Sequence, residues 1–126
     1  MSTKNLPKPT AAELEMLRLL FALGPATARQ VHEAALETRP ETNYATVLRV
    51  LQIMHTKGLL SRDESQRAHI YAPAQAQDAL QTNLLKELIQ KAFAGSGKAL
   101  VLAALRDGHV SKKERAEIQA LLDQDS

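Results

Sequence analysis

Residues 42–58 read Thr-Asn-Tyr-Ala-Thr-Val-Leu-Arg-Val-Leu-Gln-Ile-Met-His-Thr-Lys-Gly and contain a clear helical pattern. The apolar residues of this stretch follow the i, i+3, i+4, i+7 spacing of one buried helix face: Val47, Val50, Leu51 and Met54. Thr42 or Asn43 can cap the start of this helix, and Gly58 ends it about four turns later. The stretch therefore predicts a helix with one face in the core and the opposite face turned outward.

The residues before this helix predict two more helices, each opened by a capping box. Thr10 stands three residues before Glu13, so side chains and backbone amides can satisfy each other at the first helix start. Thr27 and Gln30 repeat the spacing at the second helix. Gly24-Pro25 separates the two helices, because glycine commonly follows a helix end and proline cannot continue the helix.

The residues after these helices complete a recognisable order of elements. Arg39-Pro40 ends the second helix, because the residue before a proline is disfavoured in a helix. Two short apolar segments, at 59–62 and 69–73, flank a polar turn and predict a β-hairpin. Three helices followed by a hairpin form a winged helix-turn-helix, so we predict a mainly α chain whose residues 1–74 are a winged-helix DNA-binding domain.

Residues 75–126 predict a tail of three short helices that cannot enclose much core alone. Their apolar faces need a partner, and most soluble oligomers are symmetric homodimers. We therefore predict a helical dimerisation domain; packing of the tail onto its own first domain is the alternative. The predicted dimer contacts are Leu84, Leu85, Leu88, Ile89, Phe93, Leu100, Leu102, Leu105, Ile118, Leu121 and Leu122.

Charge favours nucleic acid as the partner of the first part. Residues 1–74 hold nine Lys/Arg and seven Asp/Glu, whereas residues 75–126 hold seven of each, so the first part carries the whole net charge of +2. No acid occurs between Thr42 and Arg62, a window that covers the third helix. Such a window is typical of a helix that faces phosphate, and a chance gap in a solvated face is the alternative.

The outward face of the third helix carries side chains that suit base edges in the major groove. Arginine suits guanine, glutamine suits adenine, and a small or methyl-bearing side chain suits the thymine methyl. Successive residues of a helix are rotated by about 100°, so the inner face fixes which residues point outward. The predicted base-facing residues point directly away from the core or lie beside that direction: Thr42, Ala45, Thr46, Arg49, Gln52, Ile53 and Thr56. The predicted backbone contacts are Asn43, Tyr44, Lys57, Arg62 and Arg67, for which ordinary surface positions are the alternative.

Other function classes have little support in the sequence. The chain has no cysteine, which excludes disulfides and thiolate metal sites. The four histidines are scattered without ligand spacing, no phosphate-binding loop is present, and no nucleophile motif occurs. No apolar run approaches a membrane span, and the polar start Met1–Pro9 is unlike a signal peptide. We expect a cytoplasmic protein that is not an enzyme and has no metal or cofactor.

Three motifs resemble the penicillinase-repressor family of bacterial winged-helix transcription regulators. They are Leu6-x-x-Pro9-Thr10-x-x-Glu13-Leu14-Glu15-x-Leu17, the recognition-helix stretch Tyr44-Ala45-Thr46-Val47-Leu48-x-Val50-Leu51, and the wing-like Lys57-Gly58-Leu59-Leu60 with Arg67-Ala68-x-Ile70-Tyr71. The resemblance implies a homodimeric repressor that binds double-stranded DNA at a palindromic operator. A winged-helix module that binds only proteins is the alternative function.

The resemblance also implies a class of regulated genes and a route of relief. Regulated genes in the family include β-lactamase and other antibiotic-resistance genes, and in one branch repression is relieved by a membrane-bound sensor metalloprotease. Ala103-Ala104 falls where that branch is cut, but the residues differ from the family's Asn-Phe cleavage site. The copper-sensing branch uses a cysteine-rich tail, which this chain lacks.

Overall fold

The structure is a computed structural model, and it describes residues 8–124. The first helix, α1, spans Ala11–Leu23 and begins at the predicted capping box. Thr10 N donates to Glu13 Oε1 at 3.0 Å, and Glu13 N donates to Thr10 Oγ1 at 3.1 Å. Leu6, which opens the family-like motif, lies outside the described residues.

Between α1 and the next helix lies a short strand that the sequence analysis did not predict. This strand, β1, is Ala26–Thr27, and it pairs antiparallel with the hairpin strand β3, Ile70–Pro73, in the register Ala26 to Tyr71. The other hairpin strand, β2, is Leu60–Asp63 and also pairs with β3, which gives the sheet order β1-β3-β2. The predicted hairpin is confirmed as the larger part of a three-stranded sheet.

The second and third helices occupy the predicted places, with one difference in length. Helix α2 spans Ala28–Leu36 and begins at the predicted Thr27–Gln30 capping box. It ends at Leu36, before Arg39-Pro40, because the chain turns through hydrogen bonds from the amides of residues 37–39 to Ala34 and Ala35. The prediction that Arg39-Pro40 itself ends α2 is therefore wrong by about one helical turn. Helix α3 spans Tyr44–Thr56.

The core of the first part lies between the three helices and the sheet. Every apolar residue predicted on the inner face of α3 is buried except Val50, which is half-buried. The largest fully buried side chains come from all three helices and the sheet: Tyr71, Leu20, Leu51, Met54, Val31 and Val47. This packing fixes which face of α3 remains outside.

The remainder of the chain is helical, as predicted. Helix α4 spans Gln77–Ala92, α5 spans Gly97–Arg106 and α6 spans Lys112–Gln124. The contacts divide the chain into two compact units after Thr82, inside α4, and Leu80 in the first turn of α4 is buried in the first unit. The functional boundary at residue 74 stays a prediction.

The second unit, which begins at Asn83, has no buried side chain among residues 83–124. Its apolar side chains line an open groove of about 670 Å³, with Leu85, Leu88, Phe93 and Leu100 among them. Within residues 8–124 no single helix is long and apolar enough to cross a membrane, although the bent pair α4 and α5 meets that test together by length and composition.

Candidate nucleic-acid interface

Local features fix both ends of helix α3: a side-chain cap at its start and a glycine just after its end. Asn43 caps its start, where the Asn43 Oδ1 accepts from the amide of Ala45 at 2.7 Å and from that of Thr46 at 3.4 Å. At the other end, Gly58 adopts the left-handed backbone conformation, with a φ of 88°, that lets the chain leave the helix. Of the two cap candidates in the sequence, Asn43 is therefore the one used.

The outer face of α3 is open along its whole length. Six of the seven residues predicted to face bases lie on the helix and are exposed: Ala45, Thr46, Arg49, Gln52, Ile53 and Thr56. Thr42 is different because it precedes the helix and is half-buried, with its hydroxyl donating to the Arg39 carbonyl at 2.7 Å. Arg49 forms no ion pair with any other residue in 8–124, so its guanidinium is available to an external acceptor.

Lys57, one of the predicted backbone contacts, is bound within the protein. Its Nζ donates to Glu13 Oε1 at 2.7 Å and to Glu13 Oε2 at 2.9 Å. Glu13 is only 5% exposed and also caps α1. Burial on its own would raise the pKa of the Glu13 carboxyl, but the bonds from Lys57 and Thr10 outweigh burial and lower that pKa. The pair joins the end of α3 to the start of α1.

Arg62, a second predicted backbone contact, is also paired. Its Nε donates to Glu64 Oε2 at 2.7 Å, and hydrogen bonds to Glu64 and to Tyr71 raise the pKa of the guanidinium. The same contact with Arg62 lowers the pKa of the Glu64 carboxyl. Of the three cations that the sequence placed against the DNA backbone, Lys57 and Arg62 are therefore each paired with a carboxylate of the same chain. The third, Arg67, forms no ion pair with a residue in 8–124.

Two clefts flank α3, and they differ in charge. The cleft on the wing side, with a volume of about 410 Å³, has no acidic residue in its lining, which is Thr27, Ala28, Arg29, Tyr44, Leu48, Gln52, Arg67, Ala68, His69 and Tyr71. The cleft on the α1 side, of about 290 Å³, is lined by Glu15 and Glu41 as well as by Arg39. Arg39 Nε there binds Glu15 Oε2 at 3.1 Å. Positive charge without compensation therefore lies on the wing side.

Arg29 is the residue of this surface that the sequence analysis missed. It stands in the first turn of α2, is exposed, and lines the wing-side cleft with Arg67. Charge alone could have singled it out, since it is the only cation in α2, but its position opposite the wing depends on the pairing of β1 with β3. Tyr44 also lines this cleft, and its ring meets that of His32 edge to face at 5.8 Å.

Of the eleven predicted dimer contacts in the second unit, six are exposed and five are half-buried. None of the eleven is buried; Leu121 is the most exposed, at 64%, and Leu122 follows at 58%. Ala103 and Ala104, the predicted cleavage region, are half-buried within α5 and line the apolar groove. No group of three or more His, Cys, Asp or Glu side chains in residues 8–124 is arranged to hold a metal ion.

Comparisons with known proteins match almost the whole described chain to one family and part of it to individual relatives. The family model described as penicillinase repressor matches residues 9–124. The protein named transcriptional regulator BlaI, from two strains of Mycobacterium tuberculosis, is 40% identical over 79 residues, which is 62% of this chain. That match spans 56% of the relative's own length.

A solved structure is also similar. It is the Bacillus licheniformis BlaI monomeric form, described as in complex with the blaP half-operator, with 20% identity and a TM-score of 0.49. The similarity covers 59% of this chain and 89% of that one.

Proposed function

The chain belongs to the penicillinase repressor family, and we propose that it is a transcriptional repressor that binds double-stranded DNA through helix α3. The family description is that of a repressor, which agrees with the prediction that the chain is not an enzyme. The single observation that carries the proposal is the outer face of α3, which is exposed, has no acid and presents Arg49 and Gln52. The major groove admits an α-helix, and an outer face without acid avoids repulsion by the phosphates on either side of the groove.

The residues of this surface have separate roles in the proposal. Arg49, Gln52 and Thr46 face base edges, with the small Ala45 and the apolar Ile53 beside them, and these contacts set sequence preference. Asn43, Tyr44 and Arg67 contact the sugar-phosphate backbone and fix the register of the helix in the groove. Lys57 and Arg62 have no direct DNA contact in this proposal, because the charge of each is already balanced by a carboxylate.

We propose further that the second unit joins two copies of the chain. The support is that its residues 83–124 bury no side chain, although they hold leucines on all three helices. Leaving so large an apolar surface in water is unfavourable, and a second copy offers the same surface in return. Two α3 helices related by twofold symmetry would match an operator with two half-sites, one or more turns of DNA apart.

From the family resemblance we also propose resistance genes as targets and proteolysis as a route of relief. Ala103 and Ala104 lie inside helix α5, whereas proteolytic nicking is concentrated in exposed loops. Cleavage between them would first require α5 to open, which is feasible because α5 buries no side chain. A membrane-bound sensor metalloprotease is the partner that this route requires.

A salt titration tests the proposed function. The probe is a duplex that carries the promoter region next to the chain's own gene, and binding is followed by fluorescence anisotropy from 50 to 400 mM KCl. We expect the logarithm of the association constant to fall linearly with the logarithm of salt, because phosphate contacts release counterions. An unrelated duplex of equal length is the control for sequence preference.

The same titration separates the proposal from its rival. A winged-helix module that binds only proteins would show no salt-dependent affinity for either duplex. Salt-dependent binding that is tighter for the promoter duplex supports a repressor, and absence of binding to both duplexes would rule it out.

A further inference from the structure

We propose that the wing-side cleft of α3 holds the sugar-phosphate backbone of one DNA strand, with Arg29 and Arg67 as its two cationic walls. This inference rests on the proposed function and adds to it a binding site and a residue, Arg29, that the sequence did not assign. The cleft lies between three elements of the first unit: the start of α2, the outer side of α3, and the wing just before β3.

The wing-side cleft is positively charged. Its ten lining residues include two arginines and one histidine and no acid. Neither Arg29 nor Arg67 forms an ion pair with another residue in 8–124, so both guanidinium groups keep their full donor capacity. Guanidinium groups bind phosphate oxygens in a two-pronged geometry, which makes an acid-free pair of arginines suited to a polyanion.

The other cations near α3 that were predicted to contact the DNA backbone are already paired with acids. Lys57 is bound by Glu13 and Arg62 by Glu64, so the charge of each is already balanced by a carboxylate and attracts phosphate less strongly. The cleft on the α1 side of α3 contains Glu15 and Glu41, whose charges repel a phosphate chain. Of the two sides of α3, only the wing side therefore offers uncompensated positive charge.

The size of the wing-side cleft and its polar side chains also suit a stretch of DNA backbone. A volume of about 410 Å³ is large enough for a stretch of backbone rather than a single ion. Thr27 and Tyr44 line the cleft and provide hydroxyl groups, and Gln52 lines it from the exposed outer face of α3. A strand in this cleft would thus run directly beside the helix that reads the groove, which is where a backbone contact fixes register.

The test compares salt dependence among charge variants of the full-length protein, with a random-sequence 30-base-pair duplex as the probe. Each phosphate contact contributes about 0.9 to the log–log slope, which equals roughly an eightfold loss of affinity at 0.1 M salt. We expect Arg29→Gln and Arg67→Gln each to reduce the slope by about 0.9, and the double variant by about twice that. The loss should be the same for different duplex sequences.

Two control variants make the result specific. Arg18→Gln removes the same charge from an exposed position on α1 that lines neither cleft, and it should leave the slope nearly unchanged. Arg29→Lys keeps the charge and should retain the slope. If Arg29→Gln behaves like Arg18→Gln while the native protein still binds DNA with a salt-dependent affinity, the cleft proposal is wrong and the repressor proposal stands. If the native protein shows no salt-dependent binding, both fail.

Discussion

Replacing Lys57 by Met should destabilise the protein rather than weaken its electrostatic attraction to DNA. The Lys57 ammonium donates to both oxygens of the Glu13 carboxylate, at 2.7 and 2.9 Å, across 44 positions of sequence. Methionine keeps most of the length of the side chain but removes its charge. The substitution therefore leaves Glu13, which is 5% exposed, as a buried carboxylate without its cation.

The size of the loss follows from how well each partner is buried. Removing one partner of a fully buried ion pair costs about 3–5 kcal/mol. The Lys57 side chain is 32% exposed, so water can reach part of the vacated space and the cost is lower. Glu13 also keeps its bond from the Thr10 amide. We expect about 2–3 kcal/mol in the free energy of unfolding.

Urea unfolding followed by circular dichroism at fixed protein concentration measures this loss. The double variant Glu13→Gln with Lys57→Met leaves no buried charge, so it should be more stable than Lys57→Met alone. Arg18→Met is the control for removing an exposed cation from the same unit, and it should change the free energy of unfolding by no more than about 0.5 kcal/mol. If Lys57→Met is equally harmless, and instead lowers the salt dependence of DNA binding, Lys57 is a backbone contact and our assignment of the pair is wrong.

Two further predictions concern acid and the second unit. The pKa of Glu13 is lowered below its usual 4.5, so its stabilising effect is complete above pH 4.5 and declines as the pH falls through the lowered value. Glu13→Gln should flatten that part of the curve of unfolding free energy against pH. An unchanged curve would contradict the role of the pair. Leu88→Asp should raise the dimer dissociation constant roughly a thousandfold in sedimentation velocity, because two copies of the interface each lose about 2 kcal/mol of apolar burial. Leu23→Asp is the matched control, since Leu23 is 46% exposed and Leu88 is 48% exposed; a native protein that sediments as a monomer would refute the dimer proposal.

Local signals in the sequence were sufficient for most of the first unit. The capping boxes at Thr10 and Thr27 set the starts of α1 and α2, because they depend only on residues three positions apart. The inner face of α3 followed from spacing alone, and Gly58 marked the exit from that helix. These features share a short range, so no knowledge of distant contacts was needed.

The features that the sequence could not reveal depend on contacts between distant residues. Strand β1 has only two residues, too few for any periodicity, and exists because Ala26 pairs with Tyr71. The same is true of the ion pair between Glu13 and Lys57. Charge patterns predicted that Lys57 contacts the DNA backbone, but only the fold shows which cations are already paired with an acid.

Substitution of Arg49 shows whether the outer face of α3 reads DNA bases. The measurement is binding of native protein and Arg49→Ala to a set of duplexes in which each base pair of the preferred site is varied in turn. We predict that Arg49→Ala costs about 1–3 kcal/mol on the preferred site and relaxes the preference at one base pair of each half-site. Equal affinity and an unchanged preference in Arg49→Ala would show that this face of α3 does not enter the groove.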